Sequence, residues 1–124
     1  RPMEETYGLT RTEMEIMEYL WKKGATAPFR ELAAYFNEVK EKNWKKQTLN
    51  TYLINMQRAG FIGVDKSGTR NAYYALFSRE ELVHRWTRKM VKQAFGGSVY
   101  DLMVAFTGGR KLSPEDAERI RELI

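Results

Sequence analysis

The stretch Trp44–Gly60, WKKQTLNTYLINMQRAG, decides how the rest of the chain is read. Leu49, Tyr52, Leu53 and Met56 recur at helical spacing, and Gly60 supplies a left-handed stop. The opposite face carries Lys46, Gln47, Asn50 and Thr51. A basic, glycine-punctuated segment follows over Phe61–Phe77. There Ile62 and Val64 alternate with polar neighbours, Ser67-Gly68-Thr69-Arg70-Asn71 turns, and Tyr74 and Leu76 alternate again. That pattern predicts a two-stranded wing. A polar-faced helix followed by a hairpin is the order a winged helix-turn-helix needs to enter a DNA major groove.

Working back, Leu9-Thr10-x-x-Glu13-Met14 combines an N-cap, a capping-box acid and a hydrophobic staple. The helix it opens is expected to bury Met14, Met17, Leu20 and Trp21 and to stop at Gly24 after Lys22-Lys23. Thr26 is placed to cap a second helix, with Pro28 in its first turn and Phe29, Leu32, Ala33 and Phe36 on its buried face. Asn37 to Asn43 is polar and reads as a connector. The third helix then runs from about Lys45 to Ala59.

Working forward, Ser78-x-x-Glu81 repeats the capping box, and its helix runs to about Phe95 before Gly96-Gly97. Ser98-x-x-Asp101 opens a short helix bearing Leu102, Met103 and Phe106, ended by Gly108-Gly109. Leu112-Ser113-Pro114 opens the last helix, with Ala117, Ile120 and Ile124 along one side. Three amphipathic helices of modest length cannot bury this surface alone, so a second copy is expected to cover it. Leu102, Met103, Phe106, Ile120 and Leu123 are the expected dimerisation residues. The fold class is therefore mainly α with a small β-wing. Residues 1–77 form a winged helix-turn-helix DNA-binding domain and 78–124 a helical dimerisation region.

Composition narrows the function classes. The net charge of +5 is concentrated: Lys42, Lys45, Lys46, Arg58, Lys66 and Arg70 face one acid, Asp65, so this segment alone sums to +5. An acidic partner such as nucleic acid is indicated. There is no Cys, which excludes disulfides, zinc fingers and thiol chemistry. His84 is the only histidine and cannot make a metal site by itself. No cofactor and no metal is expected. Asp, Glu and Ser stand mostly at cap positions, with no nucleophile–base–orienter set, so an enzyme is not expected. No apolar run approaches a membrane span and no signal peptide is visible, so a cytoplasmic protein without membrane insertion is the expectation. Arg1-Pro2, in place of Met, is what a trimmed chain would begin with. Arg85, Arg88, Lys89 and Lys92 share one helical face, which reads as a solvated stripe, a DNA-backbone contact or a contact with the other subunit's acids.

Together these residues resemble the penicillinase-repressor family of bacterial winged-helix regulators, which includes the methicillin-resistance and copper-transport repressors. The resemblance starts in LTRTEMEIMEYLWKKG, at Leu9, Thr10, Glu13, Glu15, Ile16, Met17, Leu20, Trp21 and Gly24. It continues through Trp44, Thr48, Leu49, Thr51, Leu53, Gly60 and Tyr74, and ends in FGGSVYDLMVAF and LSPEDAERIREL. Four loose motifs thus occur in order from about Leu9 to Leu123. The chain departs from the family at Lys45-Lys46, where a Ser-Pro cap is usual, at Asn55, where an Arg is common, and in lacking the copper branch's cysteines.

The resemblance implies a transcriptional repressor that binds a pseudo-palindromic operator as a homodimer. Lys46, Gln47, Asn50 and Thr51 would then contact bases. Gln and Asn suit adenine, the Thr methyl suits the thymine methyl, and Lys reaches guanine or phosphate. Lys45 and Arg70 would hold the phosphate backbone. On residue types alone the same face reads equally as ordinary solvated helix surface. In the antibiotic-responsive members, a membrane sensor-protease triggers a cut in the short tail helix. The corresponding bond is Ala105–Phe106, with Ala105 where the family has Asn. The plain alternative makes both residues interface packing. Another function class also fits: a winged-helix protein-interaction module that binds an acidic protein partner.

Overall fold

The computed structural model describes residues 5–124, and the chain divides into two compact units, one ending at His84 and one running from Arg85 to Ile124. The first unit opens with a hairpin of β1 (Glu5–Thr6) and β2 (Leu9–Thr10). Tyr7 and Gly8 turn between them at φ 56° and 85°, the left-handed pair that a two-residue hairpin turn requires. Helix α1 (Arg11–Lys23) follows at once. Its capping box is formed as the sequence predicts: Glu13 N–H donates to Thr10 Oγ1 at 3.2 Å, and Thr10 N–H donates to Glu13 Oε1 at 2.9 Å. Ile16, Met17 and Leu20 form its buried stripe, while Met14 and Trp21 are half-buried. The Trp21 indole N–H donates to the Phe77 carbonyl at 2.7 Å, and the Arg79 guanidinium lies 4.6 Å from the ring centre.

Two expectations fail after Gly24. Thr26 caps nothing, and Pro28 is not in a helix. Ala27–Pro28 is a short strand, β3, and α2 (Phe29–Ala34) starts one residue later. Proline fits the edge of a sheet as well as the first turn of a helix, because both positions need no N–H donor. The second helix also continues through a single π turn, Tyr35–Val39, into the segment whose polarity suggests a connector. Helix α3 (Lys46–Arg58) agrees with the sequence reading, with Leu49, Leu53 and Met56 buried and Tyr52 partly so.

The wing strands β4 (Ile62–Asp65) and β5 (Ala72–Ala75) pair antiparallel, and β3 adds to the far edge of β5. The sheet therefore has three strands in the order β3-β5-β4. Its register sets Val64 opposite Tyr73 and Gly63 opposite Tyr74. Tyr73 is consequently buried and Tyr74 and Leu76 are exposed, the reverse of the expected alternation. A shift of one residue moves a whole strand face, and two adjacent tyrosines gave no basis for choosing. Tyr74 uses its outward position to cover Gly63, where an added Cβ would lie 2.5 Å from the ring.

One core joins β2, β3, β4, β5 and the helices of this unit: Leu9, Ile16, Met17, Leu20, Ala27, Leu32, Phe36, Leu49, Leu53, Met56, Ile62, Tyr73 and Leu82. Each large side chain here contributes about 1.5–3 kcal/mol through burial. Helix α4 (Arg79–Phe95) begins in this unit with Ser78 and Glu81 as its capping box and runs on into the second. There α5 (Val99–Thr107) and α6 (Pro114–Arg121) are capped by Ser98 and Ser113, as their sequence spacing predicts. No residue of α5 or α6 is buried. Among the described residues no helix is long and apolar enough to cross a membrane.

Candidate nucleic-acid interface

Lys46, Gln47 and Asn50 project from the first turns of α3 into an open cleft of about 740 Å³. The wing supplies Thr69, Arg70 and Asn71 to the same cleft, and α2 supplies Phe29, Arg30 and Ala33. Pro28 and Tyr73 line it from the sheet. The convergence follows from chain connectivity. Strand β3 runs directly into α2, and its partner β5 lies just beyond the wing turn.

The cleft lining carries cations, and several carboxylates of the same unit pair with other cations. Glu15 holds Lys42 at 2.9 Å and Lys40 at 3.7 Å. Glu31 pairs with Lys23 and accepts from the Tyr19 hydroxyl, and Glu18 meets Arg79 at 3.2 Å. Lys42 thus drops out of the free positive charge counted from the sequence. Arg30, Lys45, Lys46 and Arg70 are exposed, and among the described residues none of them forms an ion pair. Among the described residues no carboxylate lines the cleft. Asp65 lies outside the lining; hydrogen bonds from the Ser67 side chain and then its backbone N–H hold its carboxyl below the usual range.

The other site residues fall in several places. Lys45 is the N-cap residue of α3, exposed and outside the cleft lining. Thr51 lies in a separate shallow groove with Thr48, Tyr52 and Asn55, and its hydroxyl donates to the Gln47 carbonyl at 2.8 Å. Trp44 stacks on Phe36 at 5.1 Å and packs against Tyr52 at 5.2 Å, so its ring is in use as an anchor. Arg30, Thr69 and Asn71 were not singled out from the sequence. Only the basic, hydroxyl and amide character of Arg30, Thr69 and Asn71 could have pointed to them.

In the second unit Leu102, Met103, Phe106, Ile120 and Leu123 line one groove of about 520 Å³ with Leu112, Asp116 and Arg119. Phe106 is 80% exposed and Leu123 84%. Ala105 is exposed beside Phe106, inside the last turns of α5. Arg85, Arg88, Lys89 and Lys92 are all exposed on α4, which holds no acid from Arg85 to Phe95. Among the described residues no group of three or more His, Cys, Asp or Glu side chains could hold a metal ion.

A family model described as Penicillinase repressor matches residues 9–124. A curated protein of Latilactobacillus sakei, titled an uncharacterized 16.5 kDa protein in the ptsI 3'region, is similar at 23% identity over 121 residues. That alignment covers 98% of this chain and 81% of the relative.

Proposed function

This chain belongs to the penicillinase repressor family, a family of DNA-binding transcriptional repressors, and we propose that it acts in the cytoplasm as a homodimer on a pseudo-palindromic operator. One observation carries this reading. The α3 side chains Lys46, Gln47 and Asn50 meet the wing's Arg70 in one cleft that, among the described residues, no carboxylate lines. Gln47 and Asn50 present the amide donor and acceptor that read adenine, and Lys46 reaches guanine or phosphate. Thr51 offers its methyl group from the neighbouring groove. Lys45 and Arg70 hold the backbone, and Arg30, Thr69 and Asn71 join the same surface. Residues 1–77 are the DNA-binding domain and 78–124 the dimerisation region.

The dimer is supported by the tail. Leu102, Met103, Phe106, Ile120 and Leu123 share an open groove, and α5 and α6 bury nothing. A second copy laid on that groove would cover the exposed Phe106 and Leu123. Each α3 would then enter one major groove of two half-sites, about one helical turn or a multiple apart.

Release from the operator follows a cut at Ala105–Phe106 set off by a membrane sensor-protease. A cut there detaches α6 and lowers dimer formation by mass action. Intact-mass measurement on cells treated with a cell-wall antibiotic tests this step. Derepression with every copy still full length would eliminate it.

The decisive experiment for the main reading is selection of duplex from a random pool by the purified protein. A selected duplex should bind about a thousandfold or more tighter than random duplex at physiological salt. Asn50→Ala should cost about 1–3 kcal/mol on the selected duplex and little on random DNA. Equal affinity for all duplexes would defeat the reading and favour binding of an acidic protein.

A further inference from the structure

We propose that Asn37 is a positioning residue for α3, fixing the start of the DNA-reading helix without touching DNA itself. The inference rests on the reading of α3 given above. It begins with something α3 lacks. Lys45 is its N-cap residue, and no side chain caps it. Its first turn has no acid either, so no side chain of the helix holds its beginning.

The hold comes from the preceding helix. Asn37 Nδ2 donates to the Trp44 carbonyl at 3.1 Å, and the Trp44 N–H donates to Asn37 Oδ1 at 2.7 Å. Two bonds between one side-chain amide and the N–H and C=O of one residue grip the two peptide groups that flank the Trp44 Cα, and so fix its backbone in both position and rotation. The chemistry restricts the residue type. It needs a donor and an acceptor side by side, which a carboxamide has and an ionised carboxylate lacks. Trp44 is the last residue before Lys45 and Lys46, so the clamp acts where α3 and the cleft begin.

The intervening loop needs such a tether. Glu41 and Asn43 have φ of 54° and 58°, left-handed values unusual for residues other than glycine. Lys42 N–H donates to the Phe36 carbonyl at 2.9 Å, which ties the middle of the loop but not its end. Stacking of the Trp44 ring on the fully buried Phe36 anchors the ring alone, and the amide clamp adds the backbone. Asn37 itself sits in the π turn Tyr35–Val39, a helical irregularity of the kind often found at functional positions.

The test compares binding of the full chain to the selected duplex and to random duplex. Asn37→Ala should lower the ratio of the two affinities about tenfold, because a displaced α3 start spoils base contacts, while random-duplex affinity should stay within about twofold, because phosphate contacts tolerate displacement. Amide exchange should quicken at residues 44–49 and stay unchanged at Leu53 and Met56. Adding Lys45→Ser gives Thr48 N–H an N-cap acceptor and should restore the ratio, even as both affinities fall with the lost cation. If Asn37→Ala does not fold, Asn37→Asp carries the same comparison, since it keeps the acceptor for Trp44 N–H and sets a carboxylate oxygen against the Trp44 carbonyl. An unchanged ratio in a folded variant overturns the inference, as does faster exchange spread evenly over the core. A wild type without any duplex preference overturns the reading of α3 and the inference with it.

Discussion

Arg70→Ala separates backbone attraction from base reading, and its size can be worked from the charges at the cleft. Four cations lie at or beside it without an ion pair among the described residues: Arg30, Lys45, Lys46 and Arg70. In a dimer they could neutralise about eight phosphates, giving a log–log salt slope of roughly −7 at about 0.9 per phosphate. Arg70→Ala removes two of these contacts, so the slope should become shallower by about 1.8. Between about 50 and 200 mM salt, wild-type affinity should then fall roughly 20,000-fold and variant affinity roughly 2,000-fold. Fluorescence anisotropy of labelled duplex, titrated at several salt concentrations, reads both slopes. The preference for the selected duplex should not change, because a phosphate contact carries no sequence information. An unchanged slope would remove Arg70 from the interface. A loss confined to the selected duplex would make it a base reader and refute the division of roles.

Phe106→Asp sets a charge among the apolar side chains of the groove between α5 and α6, and, on the proposed dimer, analytical ultracentrifugation should show monomer at concentrations where the wild type associates. A wild-type-like sedimentation coefficient would argue that the groove is not the contact. Leu53→Ala removes a fully buried side chain on the core face of α3 and should cost about 2–5 kcal/mol in urea unfolding; a loss of less than half that would argue against close packing around Leu53. The Tyr19–Glu31–Lys23 cluster predicts a pH window for stability. Hydrogen bonds from Lys23 and then Tyr19 hold the Glu31 carboxyl below its usual value of 4.5, so its contribution is present above that pH and is lost as pH falls through the lowered value. Burial and then the bond to Glu31 push the Tyr19 hydroxyl from 10.0 up to about 12, so its contribution is present below pH 10 and fades as pH rises through 12. Thermal melts of Glu31→Gln against wild type should therefore differ most at neutral pH and converge in acid; a constant difference across pH 2–7 would dismiss the carboxylate as the cause.

The helices were legible because their ends are written in side chains. Thr10, Ser78, Ser98 and Ser113 each stand three residues before a Glu or Asp, and all four cap the helices they were read to cap. The sheet was harder. Two residues, Ala27 and Pro28, are too few to show an alternation, so β3 left no periodic trace. Adjacent Tyr73 and Tyr74 hid the register, which only pairing with Val64 and Gly63 fixes. Within the cleft, Lys46, Gln47 and Asn50 could be grouped from helical spacing along α3. Arg30, Thr69 and Asn71 join them through tertiary packing, which no local pattern encodes. Thr51 was grouped with them by spacing, yet it turns its hydroxyl back to the Gln47 carbonyl, a local bond open to any helical threonine.

Strand β5 is the middle of the sheet, and its place there bears on which partner yields when protein and DNA meet. One edge of β5 holds β3, which leads straight into α2, and the other holds β4, which leaves α3 through a three-residue turn. The three walls of the cleft are thus fastened to four residues, Ala72–Ala75. Strands β3 and β4 cannot part from β5 without breaking the ladder. To the extent that this frame holds its shape, compliance comes from the duplex, whose stiffness varies with each base step. An operator suited to this jaw should be marked by easily bent or narrowed steps as well as by matching bases. Substitutions at base pairs beyond the reach of any side chain should change affinity through the elastic energy of the DNA alone.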